Sequence, residues 1–407
     1  MNRKFVDFKV LTASLCCAVV MGVISFVFLK MLGLSSVFRE FFPYCIWFLP
    51  LSGMLTAFVY KKYGGESLKG NNLIIQSANE GVKVPKRLAV LTFFFTLLTH
   101  FSGGSAGREG TAVQIGGTLT SNVADKFGFK KEDRKTIILS GLSSAFGSVF
   151  GTPLAGAFFG MEVCCIGQLS ASAVIPCFLS SYMANAVTLL LGATHEVHTI
   201  ASVPNFDFKL ILIFVSASVF FGLLGKLFAL AVKYLKLLYA KIFKNTILSA
   251  LAGSVIVTLL IILLNLNKYE GLSTWQQTTA FEGNANWYDM PVKFILTALT
   301  LGAGFQGGEV TPLFDIGASF GGWYANLFGI EPSFLAAIGL ICVFGSAANT
   351  PITTIMLGIE LFGAEAAPYF VFASLISFIA SGKSGIYSSQ ERKLSKSLFS
   401  AKADFSE

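Results

Sequence analysis

Charge is scarce in this chain: Asp, Glu, Lys and Arg make up 13% of its 407 residues, about half the share usual in a soluble domain. Histidine is scarcer still. His100, His195 and His198 form no cluster with acids at ligand spacing, so no metal site is expected. The seven cysteines (Cys16, Cys17, Cys45, Cys164, Cys165, Cys177 and Cys342) lie in apolar segments without zinc spacing, and read as buried small hydrophobes. A Walker motif is missing, which argues against ATP and leaves no tightly bound cofactor implied. There is no His-Glu-x-x-His motif and no serine with a sequence-level histidine partner, which counts against an intramembrane protease or acyltransferase. The first apolar run has no small-residue cleavage site behind it, so it reads as a retained helix.

Apolar sequence is abundant instead. Hydrophobic residues make up 54% of the chain, with long runs at 10–32, 45–59, 209–232 and 246–265. Each is long enough, or nearly so, to cross a bilayer. The fold class expected is an all-α polytopic membrane protein, with the lipid bilayer as its surroundings. The net charge of +8 does not point to nucleic acid. Its basic residues fall in short inter-helix stretches (Lys61-Lys62, Lys126 to Lys135, Lys226 to Lys244), near the N-terminus and in the tail (Lys393, Lys396, Lys402). By the positive-inside rule both termini are expected to be cytoplasmic.

Against that background Gly103-Gly104-Ser105-Ala106-Gly107-Arg108-Glu109-Gly110 is the most informative segment. An ionic pair among apolar runs is a functional candidate, because charge in hydrocarbon costs at least about 2.5–3.5 kcal/mol. Glycines let backbone amides approach a small ligand, and a helix start offers such amides to an anion. The segment has a counterpart. Gly104, Gly107, Glu109 and Thr111 align with Gly304, Gly307, Glu309 and Thr311, and Gly147, Thr152-Pro153, Gly160 and Glu162 align with Gly345, Thr350-Pro351, Gly358 and Glu360. Two structural repeats follow, about 1–195 and 207–390, with a short tail at 391–407 and no regulatory domain. Short segments interrupted by Gly, Pro and Thr in both halves are the mark of broken helices around a shared site. Thr152 and Thr350 are expected as N-caps with proline at the first helical position. Pro312 after Thr311 repeats that pattern. Glu162 and Glu360 read as structural residues at helix ends.

At these residues the sequence resembles the CLC family of chloride channels and anion/proton exchangers. Gly107-Arg108-Glu109-Gly110 matches its Gly-Arg-Glu-Gly motif, and Gly307-Gly308-Glu309-Val310-Thr311-Pro312 stands at its second Gly-rich helix start. Gly385-Ile386-Tyr387 lies where that family places an inner tyrosine. Four departures narrow the resemblance: Asn71-Asn72 after Gly70, Thr111 rather than proline after Arg-Glu-Gly, Glu309 in place of an apolar residue, and Val163 where exchangers carry an internal proton glutamate. Together they resemble the fluoride/proton antiporter branch. The resemblance implies a CLC-like fold with two inverted repeats, a homodimer in the cell membrane, and export of fluoride in exchange for protons.

The chemistry follows from the residue types. Ionised, Glu109 is itself an anion and can occupy the anion site; protonated, it is free to swing away. Glu309 is its repeat partner, and two close carboxylates resist joint ionisation and share a proton. Glu309 is therefore expected to supply the protonation function that Val163 cannot. Hydrogen bonding to protonated fluoride or to the swung Glu109, or capping of its own helix, are the other roles open to it. Asn71 and Asn72 offer amide donors, or cap a short helix. Gly110, Val310 and Thr311 complete the expected anion site, with Tyr387 at its inner mouth. A chloride/proton exchanger or a passive chloride channel is the competing reading, and a passive sensor leaves the repeated Gly-Glu segments without a purpose.

Overall fold

The computed structural model describes residues 7–205 and 207–392; the basic N-terminal and tail residues, and most of the expected 391–407 tail, lie outside these. Sixteen α-helices form among the described residues, eight in each half. The first half runs α1 (Phe8–Phe41), α2 (Leu49–Val59), α3 (Asn71–Glu80), α4 (Arg87–Phe101), α5 (Glu109–Lys126), α6 (Lys131–Phe150), α7 (Pro153–Glu162) and α8 (Val174–Leu190). The second runs α9 (Phe208–Ile242), α10 (Thr246–Leu263), α11 (Trp275–Phe281), α12 (Asp289–Gly302), α13 (Val310–Phe328), α14 (Pro332–Ala348), α15 (Pro351–Phe362) and α16 (Ala367–Ser381). The order of lengths repeats as well. Each half opens on a very long helix, of 34 residues in α1 and 35 in α9, and each carries a ten- to twelve-residue helix that begins with Thr-Pro.

Burial separates two kinds of helix. Five helical stretches, including α1, α9 and α10, are long and apolar enough to cross a membrane. They keep large apolar side chains such as Val27, Leu212, Leu227 and Leu259 on their outer faces, as lipid contact requires. By contrast α6 from Thr136 to Val149 and α14 from Ser333 to Ala348 are buried on every face. They pack against α5 and α13 respectively. Glycines set that approach: backbone carbonyls of Gly141 and Gly339 lie where a Cβ on Gly116 or Gly317 would stand. Small residues at such crossings let helices pack in an apolar medium where no hydrophobic force drives them together.

Helices α5, α7, α13 and α15 start inside the molecule, after irregular backbone that is mostly protein-covered, as a bilayer demands. The two halves join at one such place. Gly107 and Gly308 exchange both backbone hydrogen bonds at 2.7 Å, an antiparallel bridge. The segments leading into α5 and α13 therefore run in opposite directions, the inverted arrangement. A second junction, of two-residue strands, pairs Cys165–Ile166 with Glu391–Arg392 and ties the segment after α16 to the one after α7.

Candidate functional site

The bridge of Gly107 and Gly308 places the first turns of α5 and α13 side by side. Glu109, the first residue of α5, is fully buried. Its carboxylate lies on the start of α13: the Thr311 amide donates to Oε2 at 3.1 Å, and the Thr311 hydroxyl reaches Oε1 and Oε2 at 2.7 and 2.6 Å. Arg108 donates to the same carboxylate through its backbone N–H at 3.2 Å and its Nε at 3.1 Å. A negative side chain thus occupies a helix start whose free amides and dipole favour an anion.

Gly110 marks where the other groups converge. A Cβ there would stand 3.2 Å from Asn71 Nδ2, 3.4 Å from Glu309 Oε2 and 3.1 Å from the Gly308 Cα. A side chain there would have to push these neighbours back by a few tenths of an ångström. Asn71 opens α3, and Glu309 is the N-cap of α13; both carboxyl residues and the Asn71 amide therefore gather about the start of α5. Val310 is buried in the first turn of α13. Tyr387 is buried with a hydroxyl that has no hydrogen-bond partner, and it lies within electrostatic reach of Glu309 and Glu109. Asn72 stands apart: its Oδ1 accepts from the Ser389 amide at 3.0 Å, fastening the segment that carries Tyr387. Gln390 fastens the same segment, donating to the Val163 and Ala348 carbonyls at 2.9 and 2.8 Å. Val163 itself is buried and apolar.

The Thr-Pro helix starts depart from expectation. Thr152 and Thr350 hold the N-cap positions, with proline at the start of each helix, but neither hydroxyl makes a capping bond. The caps come from the opposite half. Glu162, at the end of α7, accepts from the Ile352 and Thr353 amides and the Thr353 hydroxyl at 2.7–3.0 Å. Glu360, near the end of α15, accepts from the Leu154 and Ala155 amides at 2.8 Å. These two helix starts are already filled by carboxylates, so they are not open to a passing anion. Pro312 differs too. It is the third residue of α13, where its missing N–H still leaves no intrahelical bond unmade.

Comparison with known proteins decides the family. Residues 51–382 match the family described as voltage gated chloride channel. The chain belongs to that family. It is 38% identical over 380 residues, 92% of this chain and 84% of the relative, to a chloride/fluoride channel protein of Pseudomonas syringae pv. tomato. It is 26% identical over 394 residues to an H(+)/Cl(−) exchange transporter of Vibrio cholerae, covering 89% of this chain and 83% of that one. Among solved structures, a CLC-type fluoride/proton antiporter matches with TM-score 0.90 and 34% identity, covering 94% of this chain and 98% of the other. A slow cyanobacterial Cl−/H+ antiporter matches with TM-score 0.80 at 17% identity, covering 94% and 97%, a likeness of fold. The protein is thus a multi-pass membrane protein of CLC architecture, not an enzyme.

Within this CLC frame, two charged groups escaped sequence reasoning. Lys293 on α12 and Asp315 on α13 are both fully buried and 3.6 Å apart. Lys293 also donates to the Gly271 and Leu272 carbonyls at 3.0 and 2.9 Å, and Gln277 donates to Asp315 at 2.7 Å. The Gly271 carbonyl in turn accepts from the Ala106 amide at 3.4 Å, so the pair braces the glycine segment ahead of Glu109. A single charge inside an apolar helical run was the signal for each. The second group lines a cavity of about 910 Å³ that reaches Arg108, where Arg39, Lys30 and Lys268 alternate with Glu40, Glu196 and Glu270. Those residues come from α1 and two connecting loops, and only the folded chain brings them together.

Proposed function

We propose that this protein exports fluoride in exchange for protons, as a homodimer in the cell membrane with both termini in the cytoplasm. The observation that carries the reading is the placement of Glu109. Its carboxylate sits on the Thr311 amide and hydroxyl, where an anion would otherwise be held. Fluoride and this carboxylate are thus alternatives at one place. A proton taken up by Glu109 removes the charge that competes for the helix start, and the anion enters as the side chain leaves.

Glu309 supplies the second protonation step. Its Oε2 and the Asn71 Nδ2 both crowd Gly110, the residue after Glu109, which brings the carboxyl group of the second half to the start of α5 where Glu109 takes up and releases its proton. Val163 offers no titratable group at the position from which other exchangers deliver it. Gly110, Val310 and Thr311 present the amides and hydroxyl that replace water around the ion, Asn71 adds a side-chain donor, and Tyr387 adds a phenolic hydroxyl. The Asn72 carbonyl is engaged with Ser389, so its part in binding falls to Nδ2. The relatives at 38% and 34% identity, a chloride/fluoride channel protein and a fluoride/proton antiporter, support fluoride as the ion.

The test is flux from proteoliposomes under a proton gradient with the voltage clamped. Fluoride driven uphill with little chloride flux is the expected result. Dominant chloride flux would move the protein to the chloride/proton exchangers, and fluoride flux indifferent to the proton gradient would make it a channel.

A further inference from the structure

We infer that Gln114 is a further fluoride ligand, one that the family motifs around the two glutamates do not single out. The inference rests on the antiporter reading and extends the ion's site one helical turn along α5.

Gln114 follows Gly110 by four residues, so the two share a face of α5, and helical side chains lean back toward the N-terminus of their helix. Its amide accordingly reaches the turn where α3 begins. Nε2 lies 3.3 Å, and Oε1 3.6 Å, from where a Cβ on Gly70 would stand. Gly70 is the N-cap of α3, with φ +53°, directly before Asn71. Asn71 in turn points its Nδ2 at Gly110. The two amides thus flank one crossing of glycines, each aimed at the other helix's bare backbone.

Neither amide is used for structure. Gln114 is 6% exposed, yet its side chain makes no hydrogen bond among the described residues, and its Oε1 is buried without a partner. Asn71 is half-buried, and its Oδ1 is likewise shielded and unpartnered. Buried amides are nearly always satisfied, because an unmet group loses its water and gains nothing in return. Gln114, one helical turn from the Gly110 position that Glu309 Oε2 and Asn71 Nδ2 approach, is left for an occupant that comes and goes. Fluoride fits: small and strongly hydrated, it takes N–H donors from both amides, while the two carbonyl oxygens hold a water that stays on the ion.

The test uses wild type, Gln114→Met and Gln114→Asn in proteoliposomes, with fluoride KM, kcat and the proton-to-fluoride ratio measured together. Gln114→Met keeps the length and removes every hydrogen bond. Its fluoride KM is expected to rise about tenfold, the effect of one or two hydrogen bonds, with kcat and the proton ratio nearly unchanged. Gln114→Asn, with a shorter amide, falls between the two and replaces the Met variant should that one not be monodisperse. An unchanged KM in the variant overturns the inference, as does a fall in kcat at constant KM, which marks a packing defect. Wild type without fluoride flux overturns the antiporter reading itself, and so separates the two failures.

Discussion

Glu109 and Thr311 are joined by both the amide and the hydroxyl of the threonine, across the boundary between the two halves of the chain. The contact holds the carboxylate of one half on the helix start of the other. Removing the carboxylate charge should therefore uncouple the ions. Glu109→Gln is expected to abolish proton transport driven by a fluoride gradient, measured as pH change in a lightly buffered liposome suspension. Proton movement at the wild-type rate would remove Glu109 from the mechanism.

Thr311→Val keeps the volume and the amide but deletes the hydroxyl. A hydrogen bond to a charged group contributes about 1.5–3 kcal/mol, so Glu109 should leave the helix start at least about tenfold more readily. The expected readout is a lower proton-to-fluoride ratio with protein that still elutes as a single species. A ratio equal to that of wild type would mean that the amide alone holds the gate.

Glu309→Ala should lose fluoride exchange while size-exclusion elution and thermal unfolding stay as in wild type, since Glu309 contributes no bond to the opposite half comparable to those of Glu109. Wild-type turnover in this variant would leave the second proton step without a carrier.

Lys293→Met leaves Asp315 buried beside no cation, a loss of about 3–5 kcal/mol for a broken buried pair. Thermal unfolding in detergent should fall sharply. The double variant Lys293→Met/Asp315→Leu should recover most of it, because no charge then remains unpaired. Equal damage in single and double variants would show that the pair is more than a brace for the Gly271 loop.

Glu270 gives a pH test outside the spanning helices. Burial pushes its carboxyl up to about 7, against the partial pull of Arg39, whose Nε lies 3.7 Å away. A carboxyl raised in the folded state stabilises the fold fully below its unfolded value near 4.5, and that contribution is lost as pH rises through about 7. Wild type should therefore unfold at a lower temperature at pH 8 than at pH 5. Glu270→Gln should flatten that difference, and an unchanged pH profile in the variant would exclude the carboxyl as its source.

Much of this was legible before any coordinates. Apolar runs separated by short basic stretches give a polytopic helical protein, and the spacing from Glu109 to Glu309 gives the repeat. What sequence could not supply was the direction in which the repeats face. Without it Glu162 and Glu360 were merely acids at helix ends, and Thr152 and Thr350 were the natural caps. Inversion brings each glutamate to the other half's helix start, and a charged carboxylate accepting two amides takes the place of a neutral hydroxyl. Lys293 and Asp315 were hidden for a related reason. They stand on neighbouring helices 22 residues apart, a distance set by two helical segments and a loop, with no periodicity to betray the pairing. Gln114 lies outside the Gly-Arg-Glu-Gly motif, and only its lack of a partner singles it out.

The exchanged caps of Glu162 and Glu360 have a consequence for how the chain comes into being. The half that ends at residue 190 contains α7 without the carboxylate that completes its first turn, and the later half contains α15 in the same condition. While the ribosome is still making the second half, the first is a subunit waiting for its mate. The protein is in this sense an obligate heterodimer on one thread, and a polypeptide cut in the connection at 191–207 should yield two fragments that are each unstable alone and reassemble when co-expressed.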